Sequence, residues 1–124
     1  MRRRYTRDDA LVYMQPHVST DEMRQKLSGL SPQIVESVLQ QREKDLEFIR
    51  NCSPDLICML PVIGHKEEMI SFWCSVECKF RWGKLQSPRY WWFESEDDAG
   101  SFSKAWCTPG SGPGRAWRRK HGVA

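Results

Sequence analysis

The stretch Glu68-Met-Ile-Ser-Phe-Trp-Cys-Ser-Val-Glu-Cys-Lys-Phe-Arg-Trp82 decides the fold, because it satisfies two periodicities at once. Read as extended chain, Phe72, Cys74, Val76, Cys78, Phe80 and Trp82 fall on one face. Ser71, Ser75, Glu77, Lys79 and Arg81 fall on the other, with Trp73 the exception. That alternation is the mark of a half-buried strand. Read as a helix, Met69, Trp73, Val76 and Phe80 line up instead. Aromatic residues suit a pleated sheet and the alternation is long, so the strand reading is favoured.

The flanking segments extend this picture. Tyr90-Trp-Trp-Phe93 reads as a return strand across the turn-rich link Gly83–Arg89, and Leu56–Ile63 as a short apolar strand or buried loop after the breaker Asn51-Cys-Ser-Pro54. The N-terminal half is helical. Residues 5–14 form a short helix with Asp8 and Asp9 offsetting the positive end of its dipole, stopped by Pro16. Ser19-Thr-Asp-Glu22 has capping-box spacing, and Gly29 suits a left-handed helix C-terminus. Ser31-Pro32 starts the next helix, along which Val35, Val38, Leu39, Leu46 and Ile49 repeat at 3.6-residue spacing. Residues 19–50 thus read as a helical hairpin. Glu94–Asp98 is an acidic cluster. From Thr108 the chain is rich in Pro, Gly and Ser and then basic, the composition of a disordered tail. The expected architecture is α+β: N-terminal helices, a small Trp- and Cys-rich antiparallel region and a basic tail. The expected divisions are 1–16, a basic segment with a docking-type helix; 17–107, an α+β domain; and 108–124, the tail.

Charge and composition narrow the function classes. The 124 residues carry a net +3, yet residues 1–7 hold four Arg and no acid, and residues 108–124 hold Arg115, Arg118, Arg119 and Lys120 and no acid, leaving −5 on residues 8–107. An acidic body with basic ends is not a nucleic-acid-coating protein. Collagen-like, mucin-like and heptad-dominated classes are excluded by composition. The longest apolar run, Leu56–Gly64, is nine residues and is broken by Pro61, whereas a spanning helix needs about 20, so no membrane association is expected. With 40% hydrophobic residues the core must be small, and six Trp compensate for few aliphatics. The start of the chain lacks the apolar core of an export signal. Together with an odd number of cysteines, five, this reads as reduced thiols or metal ligands in a cytoplasmic or nuclear protein.

Three sets of residues are candidates for function. The first is Arg4-Tyr5-Thr6-Arg7-Asp8-Asp9-Ala10-Leu11. It resembles the short motif with which binding proteins of the cap-binding translation initiation factor 4E dock on that factor: Tyr, four residues, Leu, then a hydrophobic residue. Tyr5 and Leu11 match, the Thr-Arg-Asp-Asp filling is similar, and Ala10 stands where the family has Leu. The resemblance implies a short helix laying an aromatic and an aliphatic anchor into a partner's groove, with Arg4 and Arg7 steering the encounter. It implies translational regulation by a protein adaptor.

The second set is Cys52, Cys58, Cys74 and Cys78, with His65 between the pairs. Zinc takes four such ligands in a tetrahedron, usually as close pairs. The spacings here are C-x5-C and C-x3-C. On a strand, Cys74 and Cys78 would lie about 13 Å apart; on a helix they would be one turn apart and able to chelate. Phe72-Trp-Cys-Ser-Val-Glu-Cys78 resembles the second half of FCS-type zinc fingers. Free Cys is also a common buried hydrophobe. No resident cofactor is therefore expected, with zinc as the alternative.

The third set interleaves rings and guanidinium groups: Trp82, Trp91 and Trp92 with Arg81 and Arg89. Such a platform stacks the bases of RNA or another single strand, and the basic tail would add phosphate contacts. Catalytic signatures such as G-x-S-x-G, a P-loop or H-E-x-x-H are absent from the sequence, and Cys58 with His65 is the one candidate nucleophile–base pair. The chain is accordingly expected to be a non-enzymatic adaptor, with a zinc- or Trp-based RNA-binding module and a structural subunit of a complex as alternatives.

Overall fold

The computed structural model describes residues 4–62, 64–85, 90–110 and 112–123. Along the chain run β1 (Arg4–Thr6), α1 (Arg7–Tyr13), α2 (Thr20–Lys26), α3 (Pro32–Asn51), β2 (Ile57–Met59), α4 (Glu67–Glu77), β3 (Trp82–Lys84), β4 (Trp91–Phe93), α5 (Glu96–Trp106) and α6 (Arg115–Lys120). The four strands form one antiparallel sheet in the order β1-β2-β4-β3, and the fold is α+β.

The two central strands are apolar on both sides, and their side chains alternate between two cores. Ile57 and Met59 of β2 with Trp91 and Phe93 of β4 face one way. There they meet Ile70, Trp73 and Cys74 of α4 and Ala99, Phe102 and Trp106 of α5. Cys58 and Trp92, paired across the same strands, face the other way, towards Ala10 and Met14 near α1 and Leu46 and Ile49 of α3. The sheet is thus a partition between two small cores rather than the floor of one. Aromatic rings dominate the first: Phe93 and Phe102 lie 4.9 Å apart, and Trp73 meets the edge of Trp106 at 6.2 Å. Such pairs add about 0.5–1.5 kcal/mol each beyond area burial, which suits a chain short of aliphatics.

Several local signals operate as expected. Ser19 caps α2 by accepting from the Glu22 amide, and Ser31 caps α3 with Pro32 in its first turn. The α2–α3 hairpin forms, and Val35, Leu39, Leu46 and Ile49 are buried along α3. β2 and β4 occupy the expected apolar segments. Ile63 of the expected 56–63 strand and residues 86–89 of the turn-rich link lie outside the described residues.

Other expectations are corrected. Residues 68–77 are helical, not extended: α4 buries Ile70, Trp73 and Cys74, spaced by three and four, against the sheet, and only Trp82–Lys84 joins β4 as a strand. The alternation that suggested a strand arises because Phe72, Val76 and Phe80 are apolar but exposed. The expected helix 5–14 starts only at Arg7, because Thr6 and Asp9 form a reciprocal capping box that places the N-terminus there. The residues before it pair with β2, so 1–16 is not a separate segment but supplies an edge strand. Gly29 does not take a left-handed conformation, since α2 already ends at Lys26. The tail is not wholly disordered: residues 115–120 form α6, held by Trp117, whose indole N–H donates to Glu77 at 2.6 Å and whose ring lies 5.9 Å from Phe72.

Two buried polar side chains order the loops. Arg42 of α3 donates through Nη2 to the carbonyl oxygens of Gln15 at 2.9 Å, Val18 at 3.1 Å and Met14 at 3.5 Å. It thereby satisfies backbone acceptors beyond the end of α1, where Gln15 takes a positive φ of 52°. Asp98 of α5 accepts from the amides of Lys79 and Phe80 at 3.1 and 3.0 Å, fixing the chain as it leaves α4.

Candidate interaction surfaces

The N-terminal candidate is built from β1 and α1. Tyr5 pairs with Cys58 in the sheet and its ring packs 5.1 Å from Tyr90, so it is half-buried. Along α1 the capping box sets the helical phase. Ala10 then points into the core with no exposed surface, Leu11 lies half-buried against the same cluster, and Val12 and Tyr13 project outward at 75% and 64% exposure. Arg4 pairs with Glu96, while Arg7 pairs with Asp8 at 3.1 Å and reaches the Cys52 carbonyl at 3.3 Å. The residues chosen from the motif, Tyr5 and Leu11, are thus partly spent on the protein's own sheet and core. The exposed anchors are their neighbours Val12 and Tyr13. Sequence periodicity could have found Val12, which falls opposite Ala10 on the helix; Tyr13 lies at the flank, where its ring meets the edge of Tyr90 at 5.9 Å while most of its surface stays exposed.

Ala10 therefore has a structural reason. With no exposed surface between α1 and the sheet, the site has no room for a Leu without displacing neighbours.

The four cysteines do not converge. Cys58 lies in the core on the α1/α3 side of the sheet with Cys52 packed against it, whereas Cys74 lies in the opposite core with Cys78 against it. Burial pushes the Cys58 thiol up to about 12 and raises that of Cys52 as well. A hydrogen bond with Cys78, together with burial, raises that of Cys74. Among the described residues there is no group of three or more His, Cys, Asp or Glu able to hold a metal ion. The helical arrangement of Cys74 and Cys78 does bring those two together, but among the described residues they are not joined by a third such ligand. Cys58 and His65 are likewise separated, since His65 stacks edge-on against Trp106 at 4.9 Å on the other side of the sheet.

The aromatic–Arg set is dispersed by the same partition. Trp91 is 1% exposed in one core and Trp92 lies in the other, 4.8 Å from Phe48. Trp82 stacks on Trp91 at 6.1 Å, and Arg81 pairs with Glu94 at 3.2 Å above the Trp92 ring. These rings build the interior instead of forming an exposed stacking platform. Arg89 lies outside the described residues.

Around the end of the sheet, Glu94 lines three adjoining clefts of about 550, 570 and 550 Å³. The first adds Lys44, Glu47 and Phe48 from α3; the second adds Arg4 and Tyr5; the third adds Lys79, Phe80 and Trp82. Their charges are mixed and their walls shallow, a relief suited to a polypeptide rather than to an enclosed small molecule. No helix among the described residues is long and apolar enough to cross a membrane. Comparison of the chain with known protein families, curated proteins and solved structures finds no match.

Proposed function

We propose that the protein is a non-enzymatic adaptor of the cytoplasm or nucleus that docks on a protein partner through α1. The observation that carries this reading is the exposure of Val12 and Tyr13 together on a helix whose inner face is locked into the core. A capped, rigid helix presenting an aromatic and an aliphatic anchor costs little ordering entropy on binding, and such helices fit hydrophobic grooves. The resemblance of residues 4–11 to the docking motif makes the cap-binding translation initiation factor 4E the partner to test. Docking in the manner of that family would require Tyr5 to leave its pairing with Cys58. Docking through Val12 and Tyr13 leaves the sheet intact.

The test uses the purified factor and three forms of the full chain: intact, Tyr5→Ala with Leu11→Ala, and Val12→Ala with Tyr13→Ala. The second pair removes the two exposed anchors, and because the Tyr13 ring also meets Tyr90 at 5.9 Å its circular dichroism must be native as well. Capture by the intact chain that is lost with Val12 and Tyr13 supports the outward-face reading. Capture lost only with Tyr5 and Leu11, in a variant whose circular dichroism is native, moves the contact to the family's anchors. Equal capture by all three, or none by the intact chain, refutes the proposal.

A further inference from the structure

The C-terminal helix has a surface that the adaptor reading does not use. Within its six residues α6 carries Arg115, Arg118, Arg119 and Lys120, all exposed, and among the described residues none of them makes an ion pair. Residues 108–124 contain no Asp or Glu. Trp117 anchors the helix against α4, and Arg115, Arg118 and Arg119 line an open cleft of 410 Å³ with Val123. Three rings meet where α6 packs on α4. Trp117 is 5.9 Å from Phe72 and 4.4 Å from His121, and Phe72 keeps 40% of its surface exposed. The carboxylate of Glu77 at this face is engaged by the Trp117 indole.

Four cations spread along about 9 Å of helix form a dense positive array. A nucleic-acid strand carries one negative charge about every 3.4 Å and brings bases that stack on exposed rings. We propose that α6 and the adjoining Phe72, Trp117 and His121 rings form a binding site for single-stranded nucleic acid. The arginines take the phosphates, and the edge of the ring cluster takes a base. This site lies on a different face from the stacking platform expected from Trp82, Trp91 and Trp92, and it stands independently of docking through α1.

The experiment measures fluorescence anisotropy of labelled 12-nucleotide uridine RNA, and of the matching thymidine DNA, with the full chain between 50 and 200 mM salt. Three to four phosphate contacts give an affinity loss of about 20- to 50-fold over that range. Arg115→Gln/Arg118→Gln/Arg119→Gln should weaken binding and reduce the salt slope by about 2. Phe72→Ala should weaken binding about 5-fold or more with the slope unchanged. The three arginines are exposed, so the triple variant keeps the fold; Phe72 also packs on Trp117, so for Phe72→Ala unchanged tryptic cleavage at Arg118 and Arg119 must show that α6 stays docked. Salt-independent binding, or retention of affinity by the triple variant, overturns the proposal. So does equal affinity for a duplex, which would leave the rings without a role. Equal affinity for polyglutamate of the same charge would assign the surface to acidic proteins instead and overturns it too.

Discussion

Replacing Arg42 by Met tests the account of how the N-terminal half is held. The Met side chain keeps most of the apolar stem and removes the guanidinium. Two good hydrogen bonds, to Gln15 and Val18 at 2.9 and 3.1 Å, and a longer one to Met14 at 3.5 Å are lost. Hydrogen bonds to a charged donor contribute about 1.5–3 kcal/mol each, and a buried carbonyl left without a partner costs about 1–3 kcal/mol. Against this, the variant no longer desolvates a charge that is only 6% exposed, a saving of several kcal/mol in the folded state. The balance is a destabilisation of about 2–4 kcal/mol. For a chain of this length the unfolding entropy converts 3 kcal/mol into a fall in Tm of roughly 12 °C. Urea unfolding followed by Trp fluorescence should show a lower midpoint with an unchanged slope. Arg42→Lys should recover part of the loss, since an ammonium reaches some of the same acceptors without the fork. A loss below about 1 kcal/mol for Arg42→Met would mean that the loop after α1 orders itself without the clamp.

Gly83→Ala would place a Cβ 2.5 Å from the Trp92 indole, which Phe48 holds from the other side at 4.8 Å; a loss of about 1–3 kcal/mol is expected, and an unchanged urea midpoint would refute it. Stability should fall as pH rises from about 9. The unfolded chain releases the Cys58 proton at its ordinary value of 9.0 and that of Tyr90 at 10.0, whereas burial in the folded protein holds both to about 12. Each group therefore contributes up to about 1.36 kcal/mol per pH unit between its two values, and Cys58→Ala with Tyr90→Phe should flatten the urea midpoint between pH 8 and 11. Trp117→Ala should free α6, since six residues do not hold a helix alone; tryptic cleavage at Arg118 and Arg119 should become roughly tenfold faster, equivalent to about 1.4 kcal/mol of local stability, while the main unfolding transition stays in place.

Caps and breakers were the legible part of the sequence. Ser19, Ser31 with Pro32, and the apolar runs around Ile57 and Trp91 act through contacts a few residues away, and each appears where local chemistry puts it. The region around α4 was misleading for a physical reason. Phe72, Val76 and Phe80 are apolar yet exposed, and with buried Cys74 and half-buried Cys78 they counterfeit an alternating strand. The spacing of Ile70, Trp73 and Cys74 and the acids Glu67 and Glu68 in the first turn were the competing helical signals. Of the candidate sites, Tyr5 and Leu11 were chosen from a motif. What turns Tyr5 inward is its pairing with Cys58, far along the chain, and Leu11 packs against the core that α3 and the sheet build, while Val12 and Tyr13 stay exposed. The same holds for Arg42 and Asp98, whose roles depend on loops brought near only by folding.

The glycine opposite Trp92 bears on strand alignment. Both faces of β2 and β4 are apolar, so a shift by one residue would not carry a polar side chain into a core, and hydrophobic pattern alone selects the alignment weakly. Gly83 sits directly across from Trp92 and leaves the space that the indole fills. Trp82 and Lys84 on either side offer no such gap. The missing side chain acts as a keyway: the broad ring can lie flat against β3 in one alignment only, and three-residue strands with little other means of indexing are locked in step by an absence.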